Sequence, residues 1–261
     1  MNVPRSVESY LQELCSQGPQ AIAILGSYAR EVQRPFSDVD VLCLAGSDQV
    51  VADQEPRNCG GVYVTVSFAD ACVVEDWFTQ PAAAVSVIQG LRDGQAYWDP
   101  QQQFAAIQRR ARAFVWGPEM QKRANLYANQ QLMRWLEEVY KAMQGLEDIH
   151  VGRILQGLHG LTFGLVDVLT VQQGVLLESD NSFLDQLTRR LHDELGFLRW
   201  SQRAFGLYGT YTIQDRVWAG LHLFCWTVDF LEDVLEPPYE EAVQLARQRV
   251  QRRLEVEQYA E

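Results

Sequence analysis

Positive charge, paired cysteines and clustered histidines are all scarce in this sequence, and each shortage removes a class of function. Only 22 Lys and Arg stand against 34 Asp and Glu, leaving a formal net charge of −12 over 261 residues. The deficit concentrates early: residues 1–100 hold thirteen acids and five bases, a balance of −8. Such a field repels a bare nucleic-acid backbone and favours metal ions or cationic small molecules. The five cysteines are odd in number and lack C-x-x-C spacing, so the reading is reduced, buried thiols in a cytoplasmic protein. His150, His159, His192 and His222 include no i, i+4 pair of the kind that holds zinc. The opening MNVPRSVESYLQEL has neither the basic region nor the apolar run of a signal peptide, and His222 and Asp229 break the apolar stretch Val217–Leu231. Neither secretion nor a membrane span is expected. Internal repeats and low-complexity linkers are missing as well.

What is present is material for a packed interior, with 47% hydrophobic residues and 11% aromatics, which excludes a disordered chain. Residues 6–16 place Val7, Tyr10, Leu11 and Leu14 on one helical stripe closed by Gly18-Pro19. Short apolar strands are expected at 21–25 and 39–44, separated by a Gly-Ser turn, a polar helical segment and a turn around Pro35. Residues 46–61, rich in Asp, Pro and Gly, read as a loop; 62–68 alternates Val62, Val64, Val66 and Phe68 against Tyr63, Thr65 and Ser67. A helix opened by Pro81 and a short strand at 95–98 follow. Beyond residue 101 helical periodicity takes over, with Leu132, Leu136, Val139, Tyr140 and Met143 in register and further helices expected at about 150–173, 182–208, 213–235 and 239–257. The fold class is therefore α+β: a small mixed-sheet domain over 1–115, then an all-helical bundle over 116–261 with the boundary near Gly117-Pro118.

The segment AILGSYAREVQRPFSDVDVLCL, residues 23–44, carries the chemistry. Gly26 lets the backbone turn sharply after a strand, and Ser27 opens a helix whose free N–H groups suit an anion such as a triphosphate. Arg30, one helical turn on, adds a positive charge. Asp38 and Asp40 alternate, so both carboxylates leave one face about 7 Å apart along the strand. Two acids beside an anion cradle point to a Mg²⁺–triphosphate site.

With Gly26-Ser27 and Ser37-Asp38-Val39-Asp40 in that context, the sequence resembles the nucleotidyltransferase superfamily that includes DNA polymerase beta and the aminoglycoside nucleotidyltransferases. The resemblance implies Mg²⁺-dependent transfer of a nucleotidyl group, adenylyl from ATP in the first instance, to a hydroxyl of a small, cationic acceptor, with pyrophosphate released. Asp38 and Asp40 are implied as catalytic metal ligands; Gly26, Ser27, Arg30 and Ser37 as nucleotide-binding residues. The family's third carboxylate, on the next strand, has no counterpart: Thr65 stands in its place, or Tyr63 if the register moves by two. Three alternatives follow: a base from the helical half, as in some aminoglycoside-type members, no base at all, or nucleotide binding without turnover. A degenerate nucleotide-binding regulator and an antitoxin-like enzyme acting on a protein partner are the competing readings. Glu31 stands where many members carry Gly, a difference of little consequence on a helix.

Other charged residues read more plainly. Asp167 and Asp229 interrupt apolar helical runs, where pairing with an Arg or a hydroxyl cap is favoured over a catalytic base. Glu137 and Glu138 read as surface acids, the histidines as structural or surface residues, and Trp135, Trp200, Trp218 and Trp226 as bundle core or pocket lining. Arg153 with His159, and Arg216 with His222, are too widely available a pattern to carry an assignment. The Arg-rich stretch 247–258 reads as a solvated helix face. The expected partner is a small-molecule acceptor rather than a membrane or a nucleic acid, and a homodimer is left open.

Overall fold

A computed structural model describes residues 3–45, 54–191 and 195–258. The chain divides into two compact units, Met1–Gly117 with Leu176–Asn181, and Pro118–Val175 with Ser182–Glu261.

The first unit contains α1 (Arg5–Ser16), β1 (Ala21–Ile24), α2 (Gly26–Ala29), β2 (Val39–Leu44), β3 (Gln54–Cys59), β4 (Val62–Ala69), α3 (Ala71–Thr79), α4 (Pro81–Asp93), β5 (Gln95–Trp98) and α5 (Gln103–Ala113). Its five strands form one mixed sheet in the order β3-β4-β2-β1-β5. β2 and β4 run parallel, and the remaining neighbours are antiparallel. The amphipathic stripe of α1 packs Val7, Tyr10, Leu11 and Leu14 with Ile22, Ile24, Val39, Val41, Val64 and Val66 in one core. That match of helical and strand periodicities ties the sheet together, each fully buried aliphatic contributing about 1.5–3 kcal/mol of transfer free energy.

Two local expectations change. The stretch expected to loop over 46–61 contains strand β3, paired antiparallel with β4 so that Pro56 faces Thr65 across the ladder; residues 46–53 lie outside the described part. QEPRNC has no apolar alternation to signal a strand, and its proline is tolerated because β3 is an edge. The helical segment expected after Ser27 is a single turn ending at Arg30, and Glu31 follows at φ +59°. Glu31 therefore sits in the left-handed region that glycine favours, and the expected helix does not carry it. Asp70, which sequence alone did not place, caps α3 by accepting from the N–H groups of Cys72 and Val73 at 2.8 and 2.9 Å.

The second unit is helical: α6 (Pro118–Asp148), α7 (Val151–His159), α8 (Leu165–Gln172), α9 (Phe183–Arg190), α10 (Leu195–Phe205), α11 (Ile213–Phe230) and α12 (Tyr239–Gln258). The helix expected over 182–208 is two helices; residues 192–194, His192 among them, lie outside the described part. A π-helical turn, Gly160–Gly164, joins α7 to α8. Its glycines permit close packing on α6: a Cβ at Gly160 would lie 2.5 Å from that of Glu138, and one at Gly164 the same distance from the Trp135 ring. Residues Val151–Gln172 form one helical run long and apolar enough to cross a membrane, a stretch the sequence reading passed over; 72% of its most apolar window is buried inside the protein.

The five cysteines are free thiols, and Cys72 is exposed rather than buried. Glu138, expected at the surface, is buried with Oε1 accepting from Lys141 at 2.9 Å and Oε2 without a partner, whereas Glu137 stays exposed. Asp167 accepts a 2.6 Å hydrogen bond from the Tyr127 hydroxyl, and Asp229 pairs with Arg247 at 2.5 Å. Both acids thus take the expected kind of partner, although both sit at the exposed side of their helices. His150 caps α7 by accepting from the Arg153 N–H at 3.3 Å, and His159 packs its ring on Phe163 at 5.6 Å.

Candidate active site

The site is built where β1 ends and β2 begins. β1 pairs with β2 so that Ile24 lies opposite Val41, and the Leu25 N–H donates to the Asp40 carbonyl at 2.9 Å. The chain then turns through Gly26 at φ +62°. A Cβ at Gly26 would lie 2.1 Å from Asp40 Oδ2. Both the backbone conformation and the space exclude any side chain there, so Gly26 and Asp40 are fitted to each other.

Asp40 is partly buried, and its carboxyl is pushed up to about 6. Burial is the largest cause, followed by the negative charges of Asp38 and Asp180; Arg30 opposes them. Two acids facing a small volume with little counter-charge form an arrangement that a cation relieves. Asp38 directly precedes β2, and Ser37 shapes the approach: its Oγ accepts from the Arg34 N–H at 2.9 Å, and its own N–H bonds the Arg34 carbonyl at 2.9 Å. Ser37 thus serves the turn in this structure. Ser27 lies in the single turn of α2, too short to present the open helix end expected of it.

Arg30 closes α2. Its Nη1 donates to the Glu178 carbonyl at 2.6 Å and lies 4.0 Å from Asp93 Oδ2. Glu178 belongs to Leu176–Asn181, a stretch from the middle of the sequence that packs as part of the first unit and is further held by the Leu177 N–H on the Val85 carbonyl at 2.9 Å. This stretch brings Asp180, whose charge acts on Asp40. Asp180 was missed from sequence: it lies 140 residues from Asp40 in a connection without periodicity, and no local signal marks it.

Register decides which residue faces Asp40 from β4. The parallel ladder pairs Asp40 with Thr65, and Tyr63 stands two residues away, half exposed. Thr65 therefore shares the face of Asp40 across the ladder, and no acid does so from β4. Of the acids that follow β4, Asp70 is committed to the α3 cap and Glu75 to Arg110 at 2.7 and 2.9 Å. They lie beyond Ala69, four ladder positions and so roughly 13 Å along the strand from Thr65. Among the described residues no group of three or more His, Cys, Asp or Glu side chains is arranged to hold a metal. Gly26, Ser27, Arg30, Asp38 and Asp40 are nevertheless gathered at one end of the sheet by β1, α2 and β2.

Residues 7–93 match the family described as "Nucleotidyltransferase domain". That span includes Gly26, Ser27, Arg30, Ser37, Asp38, Asp40 and Thr65. Among solved structures, the chain is similar to a nucleotidyltransferase-like protein from Exiguobacterium sibiricum 255-15, with 14% identity, a TM-score of 0.47, and coverage of 94% of this chain and 77% of that one. No curated protein matches.

Proposed function

We propose that this chain, whose residues 7–93 match the nucleotidyltransferase-domain family, transfers a nucleotidyl group from a nucleoside triphosphate, ATP in the first instance, to a hydroxyl of a small acceptor. The observation that carries the reading is the fit of Gly26 to Asp40, which leaves backbone and carboxylate where a side chain would otherwise stand. The donor set supports Mg²⁺: hard carboxylate oxygens from Asp38 and Asp40, like charges that raise Asp40, and a cation that characteristically takes one or two protein carboxylates and completes its shell with substrate phosphates and water. When bound, Mg²⁺ would neutralise charge on the reacting phosphates.

The chain's own residues have distinct tasks. Gly26 and Ser27 bring backbone close to the triphosphate, and Arg30, held by the Glu178 carbonyl, contributes positive charge. The acceptor hydroxyl attacks the α-phosphorus in line and pyrophosphate leaves, so positioning and charge stabilisation supply most of the rate. The proton of the attacking hydroxyl is assigned to the Asp180 carboxylate, the acid that acts on Asp40 where β4 offers Thr65 instead. The acidic balance of residues 1–100 favours a cationic acceptor over a nucleic acid. Five free thiols suit a reducing, cytoplasmic setting.

Calorimetric titration of ATP and GTP, with and without Mg²⁺, into the wild type and an Asp38→Asn/Asp40→Asn variant tests the site. Metal-dependent binding lost in the variant is the expected result, and absence of binding to the wild type sinks the reading. Thr65 opposite Asp40 favours a second reading, nucleotide binding without turnover. Pyrophosphate release in an acceptor screen separates the two, and Asp180→Asn should slow release while leaving nucleotide affinity intact.

A further inference from the structure

The helical unit contains a cavity of about 400 Å³ walled by α10, α11 and α12, within the size range of small-molecule sites. Three flat rings stand among its otherwise mostly polar lining. Trp200 and His222 stack with ring centroids 3.9 Å apart and planes 5° from parallel, and Trp218 lines the same space. The Arg199 guanidinium lies over the Trp200 ring at 4.6 Å, and Arg203 lines the cavity beside it.

The charge of this lining opposes that of the molecule. Asp215 is its acid, and that carboxylate accepts from the backbone N–H and hydroxyl of Thr212 at 2.8 and 2.7 Å, capping α11. Arg203 Nη2 reaches Asp215 at a long 3.4 Å, while Arg203 Nε is buried without a partner. Arg199 makes no ion pair among the described residues. One carboxylate, already engaged in a cap, faces two guanidinium groups, so the cavity is cationic in a chain of net charge −12. Burial and the two arginines push His222 down, so it stands as a neutral ring rather than a third cation.

Guanidinium groups recognise carboxylates in a planar fork, and aromatic faces recognise flat rings. The two together define one ligand geometry: a flat ring to lie along Trp218, beside the stacked Trp200–His222 pair, with an anionic group at its edge for Arg199 and Arg203. We propose that this cavity binds a small planar aromatic carboxylate. The site uses no residue of the Gly26–Asp40 constellation and stands independently of nucleotidyl transfer.

The test titrates 2-naphthoate, neutral 2-naphthamide and cationic 2-naphthylmethylamine into the full chain by calorimetry, with tryptophan fluorescence as a second readout. Saturable one-to-one binding of naphthoate is expected, with the amide about tenfold weaker and the amine weaker still, as loss of a charge-assisted hydrogen bond requires. Arg199→Gln should weaken naphthoate about tenfold and leave the amide unchanged, with little change in melting temperature since Arg199 makes no ion pair among the described residues. Arg199→Lys should restore part of the affinity. The Asp38→Asn/Asp40→Asn variant should bind naphthoate as the wild type does, even if nucleotide binding fails in every form. Equal affinity for naphthoate and its amide, an Arg199→Gln variant indistinguishable from wild type toward naphthoate, loss of naphthoate binding in the double Asp variant, or no saturable naphthoate binding would each overturn the proposal.

Discussion

In the first unit Asp40 lies beside Asp38, with Asp180 adding charge of the same sign and Arg30 opposing it. In the helical unit, by contrast, Asp167 receives the Tyr127 hydroxyl, Asp229 the Arg247 guanidinium and Glu138 the Lys141 ammonium. Each of these helical acids, Glu138 buried and Asp167 and Asp229 exposed, is offset by a neighbour, whereas half-buried Asp40 has like charges nearest it. A structural acid finds its partner inside the fold. An acid left among like charges, with a glycine cut away in front of it, suits the cation of the proposed function.

The sharpest way to break this comparison is to fill the space before Asp40. Gly26→Ala should cost about 2–3 kcal/mol of folding stability, from the left-handed backbone and the clash with Asp40 Oδ2 together, and should abolish metal-dependent nucleotide binding. Urea unfolding and calorimetry measure the two effects. Next in size is removal of the charge itself. The folded Asp40 carboxyl titrates near 6 against an ordinary 3.8, so folding favours its protonated form; that stabilisation is present below about pH 4 and lost as pH rises through about 6. Asp40→Asn should therefore raise stability at pH 7.5 by about 1–2 kcal/mol, discounted for partial exposure, with little effect near pH 4. Melting temperatures of both forms across that range check the sign: a variant less stable at pH 7.5 would mean that Asp40 is structurally paired like the helical acids.

Tyr127→Phe makes the converse change by orphaning a helical acid. It should cost about 1 kcal/mol. Burial already raises Asp167 and the Tyr127 hydroxyl lowers it, so loss of that hydroxyl should destabilise more at pH 7 than at pH 4. Smallest is Glu31→Gly, which relieves a left-handed non-glycine residue and should add about 0.5–1 kcal/mol, visible as a modest rise in urea midpoint.

The parts of the fold that follow from residue periodicity were legible in the sequence. The α1 stripe, the alternation at 62–68 and the helical second half depend on local spacing that the sheet and bundle simply execute. Gly-Ser and Asp-x-Asp were legible because a short βα turn and an adjacent strand bring them together without help from distant sequence. Features set by tertiary partners were not. β3 becomes a strand because β4 offers it an edge, against its own polar composition. Glu31 looked harmless as long as the helix after Ser27 was assumed to continue. Glu138 is buried by the approach of Gly160, which no pattern on its own helix announces. Asp180 reaches the site only because the chain returns to the first unit at Leu176 after the excursion Pro118–Val175.

That return has a consequence for how the molecule can be cut and recombined. Because Leu176–Asn181 packs with the first unit, neither unit corresponds to one uninterrupted stretch of gene. A fragment ended at Gly117 would lose the carbonyl that receives Arg30 and the peptide N–H bound to Val85. Grafting the first unit onto another scaffold thus means carrying along six residues borrowed from the other half, or supplying a tethered peptide that imitates them.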